Sequence, residues 1–581
     1  MTGFFNERDL IKQIHTATGK EKAELVLKNA NIINVFTNTV VTADVAIDNG
    51  YIVGVGKYSG IEEKDLSGKF LCPGFIDGHI HLESSMVSPE EFQAAVMPHG
   101  TTAVVTDPHE IANVAGHEGL KYMLDATENL KLDVFFMVPS CVPATYLDES
   151  GAVLNAADIE PYFENERVLG LAELMNAYGV VNCDRNVIRK IAVSKKHDKI
   201  IDGHALALKG KELNGYAGVG IRSDHECVDI EEAIEKMQQG QWIMIREGTA
   251  AKNLEALVNL CSPQYYQRCM FVTDDKHPGD LVKKGHMDYI IRKAVALGAD
   301  PIIAIKMASW NAAQYFGLKD RGAVAPGYRA DLVVLDNLLD FNVQEVWKDG
   351  KHWNIDSSEK NFSEEKYNAV FHSFHMQELC EKDLKVKSTG AYQRVIELVP
   401  GELLTRELIV PKKREENLPE GVSLKEDILK GVVCERHYGS GHIGIGFIKG
   451  YGLKKGAVAS SVAHDSHNLI VIGTNDRDIT LAANCVQANQ GGLAVVAEGE
   501  ILGELPLPIA GLMSDMGINE TENRLEELKK KIVELGISEN IDPFMTLAFT
   551  SLPVIPELRL NTYGLIDVNQ QKVVDVFFDE K

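Results

Sequence analysis

Residues 70–81 read FLCPGFIDGHIH, an apolar β-rich run that ends in the pair His79 and His81. Such a run, bounded by Pro and Gly, predicts a strand. Alternate residues of a strand share a face, so the two imidazoles can point the same way. Seven more strand-like runs follow: TTAVVTD, DVFFMVP, RVLGLAEL, KIIDGH, AGVGIRSDH, QWIMIREG and RCMFVTDD. Helix-like runs lie between most of them, such as SPEEFQAAVMPHG, VIRKIAVSKKH, DIEEAIEKMQQG and AAKNLEALVNL, and MDYIIRKAVALG follows the eighth. Eight such alternations in about 250 residues predict an α/β chain with a TIM-like (β/α)8 barrel over residues 71–320. A doubly wound open sheet is the competing architecture, but it leaves the polar residues at so many strand ends unexplained.

The flanks have a different texture. After a short amphipathic lead-in, residues 24–70 hold brief β-rich runs separated by Asn and Gly, ELVLKNANIINV, TVVTADVAIDNG and YIVGVG. The same texture returns in GAVAPGYRADLVVLD and VQEVWKDGKHW. One small β-sandwich domain built from both ends, residues 1–70 and 321–355, is the expectation. Residues 356–389 are polar and charged and are expected to be a linker. Residues 390–581 are expected to form a C-terminal α+β domain, with strand-like VIELVPG, LIVIGT and GLAVVAEG and the charged amphipathic helix ETENRLEELKKKIVELG. The Gly-rich GSGHIGIGF lacks the Gly-Lys-Ser/Thr ending of a phosphate loop and is read as tight turns and close strand packing.

Composition narrows the function classes. A net charge of -25 over 581 residues argues against broad nucleic-acid binding, which needs a basic surface. No apolar run reaches membrane-span length, and the N-terminus lacks a signal-peptide core, so a cytoplasmic protein is expected. The nine cysteines are scattered with no C-x-x-C pair, which speaks against a disulfide framework or a zinc finger.

Chemistry gathers at the strand ends. Strand one ends in His79 and His81, strand four carries Glu173, strand five ends in His204, strand six in His225, and strand eight in Asp274. In a barrel these ends converge on one face. Four imidazoles and two carboxylates there suit one or two divalent metals. Each residue alone has an ordinary structural explanation, a hydrogen-bonded His or a capping Asp, but six at successive strand ends do not. Glu173 is the most telling, because an apolar run seldom holds a carboxylate without a partner.

The surrounding words resemble a known family. PGFIDGHIHLE and GAVAPGYRADLVVLD resemble the amidohydrolase superfamily over residues 24–350. HIHLESSM, VTDPHEIANV, LAELMN, SDHE, MIREGTAAKNL, TDDKHP and SVAHDSHNLIVIGTNDRD resemble the bacterial-type adenine deaminases over nearly the whole chain. The resemblance implies hydrolytic deamination of adenine at C6 to hypoxanthine and ammonia, in purine salvage. It implies His79, His81 and Asp274 on one metal, His204 and His225 on the other, and Glu173 as the bridge. It also implies two divalent ions per chain, manganese foremost, with iron(II) or zinc suited to the same ligands. A homo-oligomer, dimer or higher, is expected.

Asp274 is placed to move the proton of the attacking water, and Glu83 is the candidate general acid/base, with a loop-capping role as the alternative. Candidate contacts to the base are Ser84, His109, Arg246, Glu247 and His467. Asp107-Pro108-His109-Glu110 equally reads as a turn, Glu247 as a salt bridge between strand ends, and His464–Asn468 as either a loop closing the barrel mouth or a surface turn. Rival functions are another nucleobase deaminase or cyclic amidase of the superfamily, although Glu173 stands where a carboxylated lysine would be needed for the dihydroorotase type. A non-catalytic barrel scaffold is a more distant rival.

Overall fold

The computed structural model describes residues 6–354, 364–386, 389–399, 404–537 and 541–579. Its centre is a ring of parallel strands: Phe75–His81, Thr101–Thr106, Asp133–Val138, Val168–Leu174, Ile200–Gly203, Ser223–Asp224, Trp242–Arg246 and Cys269–Val272. The ring closes at two seams. Asp274–Asp275 pairs in parallel with Ile80–His81. Across the other seam, Arg222 N–H donates to Ile201 O at 2.9 Å. Ile76, Ala103, Val105, Phe135, Met137, Ala172, Met244, Met270 and Val272 form one inward cluster, capped by Phe316.

The helices between strands follow their caps. Asp184 accepts from Asn186 and Val187 N–H to start Arg185–Lys196, and Asp229 accepts from Glu232 N–H to start Ile230–Gln238. AAKNLEALVNL departs from the expected helix. Only Leu254–Leu257 is α-helical, followed by a 3-10 turn to Leu260.

The opening run FLCPGFIDGHIH divides between two sheets. Phe70–Pro73 pairs with Asn31–Ile32 and, antiparallel, with Leu332–Leu335, so it belongs to the flanking β unit and not to the barrel. The barrel strand begins at Phe75. Gly74 sits at the division because an added Cβ would strike the Thr102 side chain. The flanking unit is one hydrogen-bonded sheet of eight strands, in the order Lys351–His352, Val343–Lys348, Leu332–Leu335, Phe70–Pro73, Ala23–Asn34, Thr39–Asp48 and Tyr51–Gly56, with Gly60–Asp65 also on Ala23–Asn34. Its core mixes both flanks: Leu25, Leu27 and Ile32 pack with Leu332, Val334 and Trp347.

The expected linker falls partly outside the described residues, at 356–363 and 387–388. Its described part is packed: Tyr367 hydroxyl donates to Asp125 at 2.6 Å, and Leu379 N–H donates to Asn484 at 2.9 Å. The C-terminal region is built on a nine-stranded sheet whose central members include Ile428–Cys434, Leu469–Gly473 and Ala457–Ser460. Helix Asp476–Ala488 covers one face, and helices Ile518–Glu534 and Pro543–Thr550 cover the other. The charged run ETENRLEELKKKIVELG thus buries Leu525, Leu528 and Ile532. In the Gly-rich stretch, Gly444 admits the backbone of Asn561 where a Cβ would collide with its carbonyl.

Candidate metal centre

The strand ends place six side chains around one point. The two oxygens of Glu173 face opposite ways. Oε1 is 3.3 Å from His81 Nε2 and 4.0 Å from His79 Nε2. Oε2 is 2.8 Å from His204 Nδ1 and 3.1 Å from His225 Nε2. Asp274 Oδ1 joins the first side, 3.3 Å from His81 Nε2 and 3.9 Å from His79 Nε2. His204 is the most open member, its side chain 25% exposed, while the other five residues are at most 5% exposed.

Several contacts orient these groups. His81 Nδ1 lies 3.1 Å from Asp107 O, a backbone acceptor that fixes the proton there and leaves the Nε2 lone pair aimed into the cluster. Asp77 lies two residues before His79 on the same strand. Its carboxylate accepts from His79 N–H at 3.2 Å and from Thr273 N–H at 3.1 Å, joining the first strand to the last. Asn253 donates to His225 O at 3.0 Å. Asp274 has φ 59°, in the left-handed region, an unusual backbone for a non-glycine residue at a strand end.

The electrostatics call for a cation. The His79 and His225 rings stack at 4.4 Å, 21° apart. His79 Nε2 is buried with no hydrogen-bond partner among the described residues, and burial together with His225 holds that ring well below its ordinary pKa. Burial pushes the Glu173 and Asp274 carboxyls up, but the imidazoles around Glu173, and Arg246 with His81 beside Asp274, hold both well below the usual carboxylate range. Burial disfavours charge on the His81 and His204 rings, but the carboxylates around them raise both above the ordinary imidazole value, His204 to about 9, so a metal would take those nitrogens in place of protons.

The other expected residues fall into two sets. Near the cluster are Glu83, Ser84 and His109. Glu83 lies in the 3-10 turn Leu82–Ser85. Its Oε1 accepts from Ile111 N–H at 3.2 Å, and among the described residues its Oε2 has no partner. Burial pushes its carboxyl up to about 7. Ser84 hydroxyl donates to Asp275, and His109 Nδ1 sits 2.9 Å from Asp107 Oδ2 and 3.7 Å from Glu173 Oε1. The second set is held in ion pairs, Arg246 with a member of the cluster itself. Arg246 is tied to Glu226 and, at 2.5 Å, to Asp274 Oδ2. Glu247 pairs with Lys293 at 2.9 Å, and His467 contacts Glu110.

Four residues were not singled out from sequence. Glu226 lies 3.5 Å from both His204 Nδ1 and His225 Nε2. Asp77 seats His79, and Asp465 and Asp148 are buried carboxylates between the barrel and the C-terminal region. Asp77 and Glu226 sit two residues before His79 and one after His225, so nearness in sequence was the available signal. Asp465 lay within the polar run His464–Asn468 without being picked out of it, and Asp148 offered no signal.

Two family models match: the amidohydrolase family over residues 70–352 and the adenine deaminase C-terminal domain over residues 402–572. Among curated relatives, the chain is 48% identical over 570 residues to adenine deaminase 2 of Carboxydothermus hydrogenoformans, covering 97% of this chain and 98% of that one. It is 45% identical over 568 residues to the adenine deaminase of Clostridium acetobutylicum, covering 96% and 98%. Against the adenine deaminase of Geobacillus kaustophilus it is 43% identical over 575 residues, covering 98% and 99%.

Proposed function

This chain belongs to the adenine deaminase family of amidohydrolases, and we propose that it hydrolyses free adenine at C6 to hypoxanthine and ammonia, in purine salvage. The observation that carries the reading is the two-sided seat of Glu173, whose oxygens each face a separate pair of imidazoles. That donor set fits two divalent cations: His79, His81 and Asp274 would hold one, His204 and His225 the other, and Glu173 both. We assign manganese, with iron(II) or zinc compatible with the same ligands. Bound there, the two ions would bring the pKa of a water towards neutrality and so supply the nucleophile.

The remaining work falls to the chain's own groups. Asp274, kept ionised by Arg246 on Oδ2, takes the attacking water's proton on Oδ1 and passes it towards the leaving amine. Glu83 Oε2, without a partner among the described residues, delivers a proton to a ring nitrogen as C6 becomes tetrahedral and recovers one from the C6 hydroxyl as ammonia leaves. Ser84 and His109 line the base. Arg246, Glu247 and His467, already paired, position neighbours. The low exposure of the cluster keeps bulk water out and strengthens each of these interactions. We further assign a cytoplasmic homo-oligomer; among the described residues no helix is long and apolar enough to cross a membrane.

The test is ammonia release by manganese-loaded protein across adenine, adenosine, guanine and cytosine. Turnover of adenine above the other three is expected. A protein with two ions per chain and no adenine turnover would point to another hydrolase of the superfamily, and one that retains no metal would point to a scaffold.

A further inference from the structure

The loop between strands Ala457–Ser460 and Leu469–Gly473 leaves the C-terminal sheet and meets the barrel at Glu110. His464 Nδ1 is 2.7 Å from Glu110 Oε1, and His467 Nε2 contacts Glu110 Oε2. By residue type this trio resembles a third cation site. Its hydrogen bonds say otherwise. Ala463 N–H donates to His467 Nδ1 at 3.1 Å, so that lone pair is used. The neutral ring then carries its proton on Nε2, which donates to Glu110 and has no lone pair for a metal. The trio is a clamp. It presses a loop of the C-terminal domain onto the rim that holds the strand-end ligands.

What the clamp delivers is Asp465. This residue is 3% exposed, and its Oδ2 has no hydrogen-bond partner among the described residues. Its Oδ1 lies 3.9 Å from His109 Nε2, while the other nitrogen of that ring is 3.7 Å from Glu173 Oε1. One imidazole thus separates Asp465 from the bridging carboxylate. A buried carboxylate oxygen with no donor is costly unless a ligand supplies one. Within the reading of the protein as a deaminase of free adenine, the six-membered ring occupies the Glu173 side, where C6 reacts. A base lying beside the His109 imidazole would turn its five-membered ring to Asp465.

We propose that Asp465 is a specificity residue supplied by the C-terminal domain: its carboxylate accepts the N–H of the five-membered ring of a free purine base and so rejects N9-substituted purines. A free purine always carries one proton on N7 or N9. An N9-substituted purine carries none, and would face an acceptor-only group with a lone pair and a bulky substituent. Sites built to bond a substrate N–H discriminate strongly against analogues that lack it, because the protein group is left unpaired.

The test compares wild type with Asp465→Asn and Asp465→Ala, using adenine and 9-methyladenine as substrates and as competitive ligands. Metal content and thermal melting are measured on each protein. We expect both variants to keep two metals, to lose about ten- to a hundredfold in kcat/KM for adenine, and to hold or improve their handling of 9-methyladenine. Equal losses on both purines, or an unchanged preference for adenine, would overturn the assignment. Should Asp465→Ala fail to fold, the isosteric Asn variant carries the comparison alone. The binding ratio of the two purines reads Asp465 even if wild type proves unable to turn adenine over, an outcome that would count against the deaminase reading itself.

Discussion

The rim of the barrel and the loop at residues 461–468 hold their functional groups in different ways. At the rim, each ligand sits at or just past the end of its own strand, and parallel pairing with the next strand sets its position. The loop has no such frame. Its own domain anchors it through His464 N–H to Ala548 O at 3.0 Å and through Arg436 to His467 O, and it meets the barrel through imidazoles gripping one carboxylate, Glu110, on the first turn of helix His109–Ala126. The rim gives chemistry that many substrates can share, because the backbone places the donors regardless of what binds. The loop gives something adjustable, because a few side chains decide how it sits.

That difference can be broken most sharply at the rim. Glu173→Gln should leave a neutral amide between two imidazole pairs, and an amide bridges cations poorly. Loss of at least one metal per chain is expected, with turnover reduced by about four orders of magnitude or more. Elemental analysis and ammonia release measure the two effects. Two retained metals with near wild-type rates would mean that Glu173 is not the bridge.

A weaker effect is expected at the clamp. Burial pushes the Glu110 carboxyl up, but His464, His467 and His109 hold it well below the usual carboxylate range. Glu110→Gln removes that charge while keeping the shape. Adenine kcat/KM should fall about tenfold, chiefly through KM, with both metals still bound. Metal loss in this variant would show that rim and loop are one energetic unit.

The smallest effect should appear where the two regions face each other. Burial and the nearby Asp465 push the Asp148 carboxyl up to about 8. Its ordinary value is 3.8, so the folded protein keeps a proton that the unfolded chain loses. The stability this confers is fully present below about pH 4 and is lost as pH rises through about 8. Asp148→Asn cannot ionise. Its melting temperature should gain on wild type between pH 5 and 9, by about 2–4 °C at the alkaline end. A gap that stays constant with pH would show that Asp148 is ionised throughout.

The rim was legible because its ligands obey local rules. A strand end is visible in a few residues, and eight in succession are visible as a period. What the sequence hid depends on contacts far along the chain. The division of residues 70–81 at Gly74 arises because Phe70–Pro73 finds Leu332–Leu335, a partner more than two hundred residues away. AAKNLEALVNL has an apolar pattern fit for a helix, yet only one α-turn forms. There Asn253, at the head of the run, is drawn instead to His225 O and Cys227 O. The motif at 464–468 showed its polar density, but its partner Glu110 is 354 residues away from His464. Asp465 gained its meaning only from that contact.

The seam between Asp274–Asp275 and Ile80–His81 has a consequence for folding. The first and last strands of the ring both supply donors to the same point, so a cation held by His79, His81 and Asp274 ties together positions nearly a whole barrel apart in the chain. It would act as a removable cross-link, restricting the denatured chain much as a long-range covalent tie does. The metal-loaded barrel would then be the more cooperative fold, and its resistance to heat and protease should rise with free metal concentration. Chelation would loosen the first and last strands before it disturbs the C-terminal sheet.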